Sequence, residues 1–326
     1  MKRILYLFLT SFCYMSSTYG QQIEPLPNFT CSVLDDAGML WFGSSNDGLW
    51  KLEGNTPFRY GIPGHESAFE FYSMTLDRQG NLWVGSRDCV FEFDYNAWKF
   101  IDLNEQFGGV ASANKRNRLV HGISVNHLGH VLMGVEDLTL GQSLLMRSSG
   151  ESNVDFIKPF DANEVFEDLS AHIWMAGGAY RMEEGRLVHR VSIPSGSIQC
   201  AIEDSRGEVW VGTEGEGVYR FDGESFRHYG IDHGFEHLSV TCLHEDEKGR
   251  IWMGTKSLDG LVNKGVSYFE MGTFHHLQAA HDCPVRSVNA IASDKRGNVW
   301  FAGDAGELVR FNGRNFSVIN VSGMQD

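Results

Sequence analysis

The sequence predicts an all-β fold, a seven-bladed β-propeller of four-stranded antiparallel blades over residues 21–326, behind a signal peptide at residues 1–20. Three observations predict it. A Gly-x-x-Trp anchor recurs along the chain, six of the eight tryptophans fall in that one register, and no segment sustains a helical period.

The N-terminus comes first. Lys2 and Arg3 precede an apolar run from Ile4 to Tyr14, and small residues follow up to Gly20. That is the layout of a secretory signal, too short to span a membrane comfortably. A lipid anchor at Cys13 is the rival reading, disfavoured by bulky Phe12. Cleavage after Gly20 leaves Gln21 at the mature end, so the chain is expected to be exported, to the periplasm or the cell surface. No later apolar run reaches the length of a membrane span, which predicts a soluble mature chain without membrane insertion. Loss of the two leader cations takes the formal charge from −15 to −17. Such a surface repels phosphate backbones and anionic headgroups, which argues against nucleic-acid partners. Five cysteines remain, an odd number without close pairs, so neither a disulfide framework nor a zinc site is expected.

The anchors are Trp41, Trp83, Leu132, Trp174, Trp210, Trp252 and Trp300, spaced by 42, 49, 42, 36, 42 and 48 residues. Six residues before each stands Asp35, Asp77, Asn126, Asp168, Asp204, Asp246 or Asp294. In every unit an apolar run precedes this residue, and a tight turn and a Trp-Val-Gly-Thr-like strand follow it. A Val/Leu-x-x-Phe/Leu strand and an alternating aromatic strand complete the unit. Four short runs bounded by Gly, Asn and Asp read as four antiparallel strands. One meander of this size cannot bury both faces, whereas seven arranged radially can. The Asp-x-x-Gly residues read as turn-formers, the carboxylate accepting backbone N–H bonds and the glycine taking a positive φ. One per blade cannot converge on a single ion, so no metal site is expected.

Segments such as 202–221 (IEDSRGEVWVGTEGEGVYRF) and 243–255 (LHEDEKGRIWMGT) resemble the two-component regulator propeller repeat. The resemblance implies a ligand-sensing propeller, in several members for carbohydrate, and a signalling partner protein. Those sensors usually add a second propeller, a β-sandwich, a membrane helix and a kinase, none of which is recognisable here.

No H-E-x-x-H, G-x-S-x-G or P-loop pattern is present, so no catalytic residue and no cofactor is assigned. Gly215-Glu216-Gly217 reads as a turn, and His275-His276 as neighbours facing opposite ways on a strand. His244-Glu245-Asp246 reads as structural. Cys31, Cys200 and Cys242 share the position ten before the anchor, where other units have mostly small residues, which suggests crowding near the axis.

The best functional signal lies eleven residues before each anchor. Thr30, Tyr72, His121, Asn163, Gln199, Thr241 and Asn289 are all polar or hydrogen-bonding. On the innermost strands they would line one mouth of the central channel, around a ligand or simply around water. The long connections 102–118, 256–264 and 278–286 fall on the same face, and long loops gathered on a rigid scaffold usually carry binding. The first holds the one dense basic cluster of the mature chain, adding Arg116 and Arg118 as candidate ligand-binding residues. A hydroxyl-rich or weakly anionic ligand would suit this set.

Three functions follow. The leading one is a non-enzymatic binding or sensing module for a glycan, small molecule or protein partner. The second is a propeller lyase for a polysaccharide or an antibiotic ring, with His121 as base, Arg116 or Arg118 as the charge-stabilising cation, and Tyr72 as acid or base. The third is a fragment of a hybrid two-component sensor. Ring closure is expected through blade packing, or through a strand added to the last blade from residues 21–28.

Overall fold

Each repeat folds as four consecutive strands. The computed structural model describes residues 26–62, 69–87, 89–103, 118–126, 128–137, 142–148, 154–157, 165–175, 178–183, 186–195, 198–235, 238–256, 265–277, 285, 287–303 and 306–321. The described residues form seven four-stranded antiparallel sheets, each made of strands adjacent in sequence. The first is β1 (Phe29–Leu34), β2 (Leu40–Ser44), β3 (Gly48–Glu53) and β4 (Thr56–Tyr60). The innermost strands of the next six sheets are β5 (Phe71–Leu76), β9 (Arg118–Val125), β13 (Val165–Glu167), β17 (Ile198–Glu203), β21 (Val240–Glu245) and β25 (Val288–Ser293). A 3₁₀ turn spans Ile231–His233. Among the described residues no helix is long and apolar enough to cross a membrane. The proposed leader lies outside the described residues.

The anchors weld neighbouring blades together. Trp41 meets Phe93, Trp174 meets Phe221, Trp210 meets Phe269 and Trp252 meets Phe311, each ring lying against the following blade. Trp300 joins Phe29, Phe42 and Leu52 of the first blade in one cluster, and β25 packs beside β1. The last and first blades therefore meet by packing, and among the described residues neither sheet borrows a strand from the other. All six anchor tryptophans are buried, and each buried indole brings a large apolar area to its seam.

The aspartate before each anchor does two jobs. In the fifth blade Asp204 Oδ1 accepts the backbone N–H groups of Arg206 and Glu208, fixing the turn. Its Oδ2 accepts Trp210 Nε1–H at 2.9 Å, satisfying the buried indole. The same indole bond recurs from Trp41, Trp83, Trp174, Trp252 and Trp300. The third blade has Leu132 and no indole, and an amide then suffices: Asn126 Oδ1 accepts the N–H groups of Leu128 and His130. These aspartates are structural, as the turn chemistry predicts.

Candidate functional site

The polar register has a backbone cause. In six blades the innermost strand carries a β-bulge near its start. The extra residue of each bulge is Thr30, Tyr72, His121, Gln199, Thr241 or Asn289. A bulge breaks the ladder and re-aims one side chain, and it does so here at the mouth of the channel. Thr30, Tyr72, His121, Thr241 and Asn289 line one axial cavity of about 180 Å³, together with Cys31, Cys200 and Cys242. Gln199 occupies the same bulge position, but the cavity wall in its blade is formed by Cys200, Ala201 and Ile202.

Part of this ring is a staple. Thr30 Oγ1 donates to the Phe71 carbonyl of the next blade at 2.6 Å, and Ser73 Oγ to that of Val120 at 2.8 Å. Thr241 Oγ1 donates in the same way to Val288. These hydroxyls satisfy carbonyls beside the bulges and tie blade to blade, so Thr30 and Thr241 are committed within the protein. The thiol position is crowded, as expected: a Cβ added at Gly43 would lie 2.5 Å from Cys31 Sγ. Burial pushes the Cys31 thiol up to about 12, hydrogen bonds to Thr30 and Gly43 notwithstanding, so it stays protonated and unreactive. Among the described residues no disulfide forms and no group of three metal-ligating side chains assembles.

One predicted site residue is misplaced. Arg118 opens β9, is 1 % exposed and donates to the Leu103 carbonyl at 3.2 Å. It does not overhang the mouth, because the strand begins at that residue and carries its side chain inward. Arg116 and Asn163 lie outside the described residues, as does most of the three long connections.

Blades two and three concentrate the remaining chemistry. Tyr72 O–H donates to Glu70 Oε2 at 2.5 Å, and Arg87 Nε donates to the same oxygen at 2.8 Å. His121 Nε2 lies 3.0 Å from Glu136 Oε2. The Tyr72 and His121 rings stand 5.5 Å apart between centroids, joining the two pairs across the seam. Burial and the bond to Glu70 push the Tyr72 phenol up to about 12, so it remains a neutral donor. Burial also presses Glu70 upward, but the bonds from Tyr72 and Arg87 and the Arg87 charge outweigh it and hold it below the usual carboxylate range. The wall rises here: β9 has eight residues, and Leu119 pairs with Arg87 on one side and Glu136 on the other.

Glu70, Arg87 and Glu136 are absent from the sequence-based set, although a signal existed. Four residues after the anchors stand Ser45, Arg87, Glu136, Gly178, Glu214, Lys256 and Asp304, mostly charged. The second strand ends on the face where the first begins, so this register rims the same mouth.

Repeated four-stranded sheets packed around an axial, polar-mouthed cavity define a β-propeller with a candidate ligand site at one end of its axis. The profile of the two-component regulator propeller matches the chain at residues 70–88, 192–215 and 234–257. The first match spans Glu70, Tyr72 and Arg87. No curated protein sequence matches the chain. Among solved structures, a catalytically inactive virginiamycin B lyase from Staphylococcus aureus with quinupristin is similar over 89 % of this chain and 96 % of its own, with TM-score 0.67 and 10 % identity. A streptogramin B lyase matches over 90 % and 94 %, with TM-score 0.66 and 11 % identity. An extracellular domain assigned to a hybrid two component system of B. thetaiotaomicron matches over 88 % of this chain and 56 % of its own, with TM-score 0.45 and 14 % identity. At these identities the likeness is one of fold.

Proposed function

We propose that the chain is an exported, seven-bladed sensing propeller that binds its ligand at the mouth between blades two and three, without catalysis. The observation that carries this reading is the joined set Glu70–Tyr72–Arg87 and His121–Glu136 beside the axial cavity. It gathers an aromatic face, an imidazole and carboxylates on one side of the ring, while Thr30, Thr241 and Asn289 leave the other side neutral. Such sidedness orients a ligand. A glycan, a small molecule or a protein loop fits, and a signalling protein is the expected downstream partner of this repeat family. The test is a thermal-shift screen of residues 21–326 against glycans and small metabolites. Tyr72→Ala and His121→Ala should each weaken a hit by about 1–3 kcal/mol with little change in melting temperature. Unchanged binding in both variants, or a ligand on the Asp-x-x-Gly face, overturns the assignment.

A second reading, lyase activity, draws support from the His121–Glu136 pair. A carboxylate that holds one imidazole nitrogen leaves the other as a general base, with the neutral Tyr72 phenol one blade away as acid. The similar lyases share the fold, and the reading rests on this geometry alone. Steady formation of an unsaturated product from uronate glycans or a cyclic ester antibiotic, abolished in His121→Ala, would favour it over pure binding.

A further inference from the structure

Among the described residues the mouth is poor in available cations. Arg118 is buried on the Leu103 carbonyl, and Arg87 is engaged with Glu70 and Tyr72. Lys256, the other cation of the described rim, lies 3.2 Å from Glu214.

What the cluster offers instead is acceptors. Tyr72 spends its proton on Glu70 and presents its ring and an oxygen lone pair. A nitrogen 3.0 Å from a carboxylate carries the hydrogen, so in its neutral form His121 donates Nε2–H to Glu136 and keeps Nδ1 as an acceptor. Glu136 is about one-third exposed, at 35 %, and its second oxygen has no protein partner among the described residues. With Glu70 neutralised by Arg87, the carboxylate of Glu136 is the charge left over among the described residues of this cluster. An aromatic face, an imidazole acceptor and an unneutralised carboxylate, side by side in a strongly acidic protein, form a receptor for a cation that carries N–H donors.

We propose that the mouth selects a ligand bearing a protonated primary amine, seated on Glu136 and His121 Nδ1 against the Tyr72 ring. This rests on the binding reading above and narrows it, reversing the anionic preference expected from the basic loop. The amine gains an ion pair, a neutral acceptor and a ring face, whereas a ligand carboxylate would meet Glu136 with no cation to spare among the described residues.

Three probes on one scaffold isolate the charge: glucosamine, glucose and glucuronate, titrated at neutral pH with backbone amide shifts as the readout. Glucosamine should give saturable shifts at Tyr72, His121 and Glu136, with affinity at least about tenfold above glucose, and glucuronate should be weakest. Glu136→Gln keeps the size of the side chain and should bring glucosamine to the level of glucose. No saturable shift with glucosamine overturns the proposal, as does a preference that survives in Glu136→Gln. Equal binding of glucose, lost in Tyr72→Ala, overturns amine selection while leaving the mouth as the binding site. Failure of the whole metabolite screen to find a mouth-dependent ligand overturns the broader reading instead.

Discussion

His244 sits two residues before its turn aspartate, with Nε2 2.7 Å from Ser293 Oγ of the next blade. Burial pulls its pKa down to about 4, the nearby Asp246 charge only partly opposing this. The folded state therefore holds a neutral imidazole, while in the unfolded chain the group protonates near pH ~6.5. Its stabilising contribution is complete above that pH and is lost as pH falls from about 6.5 to about 4, to the extent of at most ~3 kcal/mol. Denaturant unfolding at pH ~7 and ~4.5 should show this fall in the wild type and a shallower one in His244→Gln. Equal slopes would show that the imidazole is not the titrating group. The carboxylate of Asp246 falls outside this window. Burial raises its pKa, but bonds from Trp252 and Arg250 hold it below the ordinary value, so its contribution is lost only at more acid pH. Such residues were legible in part. Tyr72 and His121 could be found because a bulge forces a polar side chain into one sequence position. The burial of Arg118 could not, since composition does not say where a basic loop ends and a strand begins. Glu136 was missed because attention to the innermost strand leaves out the strand that ends beside it.

The bulged innermost strand and its partner are matched by a glycine. In the fifth blade β17 shifts register between Ile198 and Cys200, and Cys200 then faces Gly212 of the second strand. A Cβ at Gly212 would lie 2.6 Å from Cys200 Sγ and 2.7 Å from Val240 Cγ1 of the next blade. Gly212→Ala should therefore destabilise by about 1–3 kcal/mol through overpacking. Adding Cys200→Ala removes one of the two clashes and should restore part of the loss, read from the denaturant midpoint. A Gly212→Ala protein as stable as the wild type would refute the close-packing account. The Trp-x-Gly pattern was visible in the sequence, yet its cause is a contact between three strands of two blades, which one repeat read alone cannot display. The strand count per unit was legible, because alternation and turn residues act locally.

At the scale of the molecule, the seam between the last and first blades is built like the other seams. Trp300 enters the first blade's cluster, Ser32 Oγ donates to the Ile291 carbonyl at 3.2 Å, and Lys295 Nζ donates to the Asp36 carbonyl. A circular permutant opened between β4 and β5, with the native ends joined by a flexible linker, should fold and melt within about 4 °C of the parent. Failure to fold would mean that the native break is a special place in the ring. Closure was the part of the architecture that the sequence left open, since units beginning and ending in phase fit either a packed seam or a borrowed strand.

Seams made of repeated parts, with every described sheet complete in itself, also bear on inheritance. Recombination between misaligned copies of the repeat would add or remove a whole blade and leave no half-paired strand behind. A propeller closed by a shared sheet lacks that freedom, because its two chain ends must stay matched to each other. Here each described sheet coincides with one repeat, so a break placed between repeats leaves every described strand paired. The mouth residues of blades two and three would travel together only if the break fell outside residues 70–136, the stretch that holds Glu70, Tyr72, Arg87, His121 and Glu136.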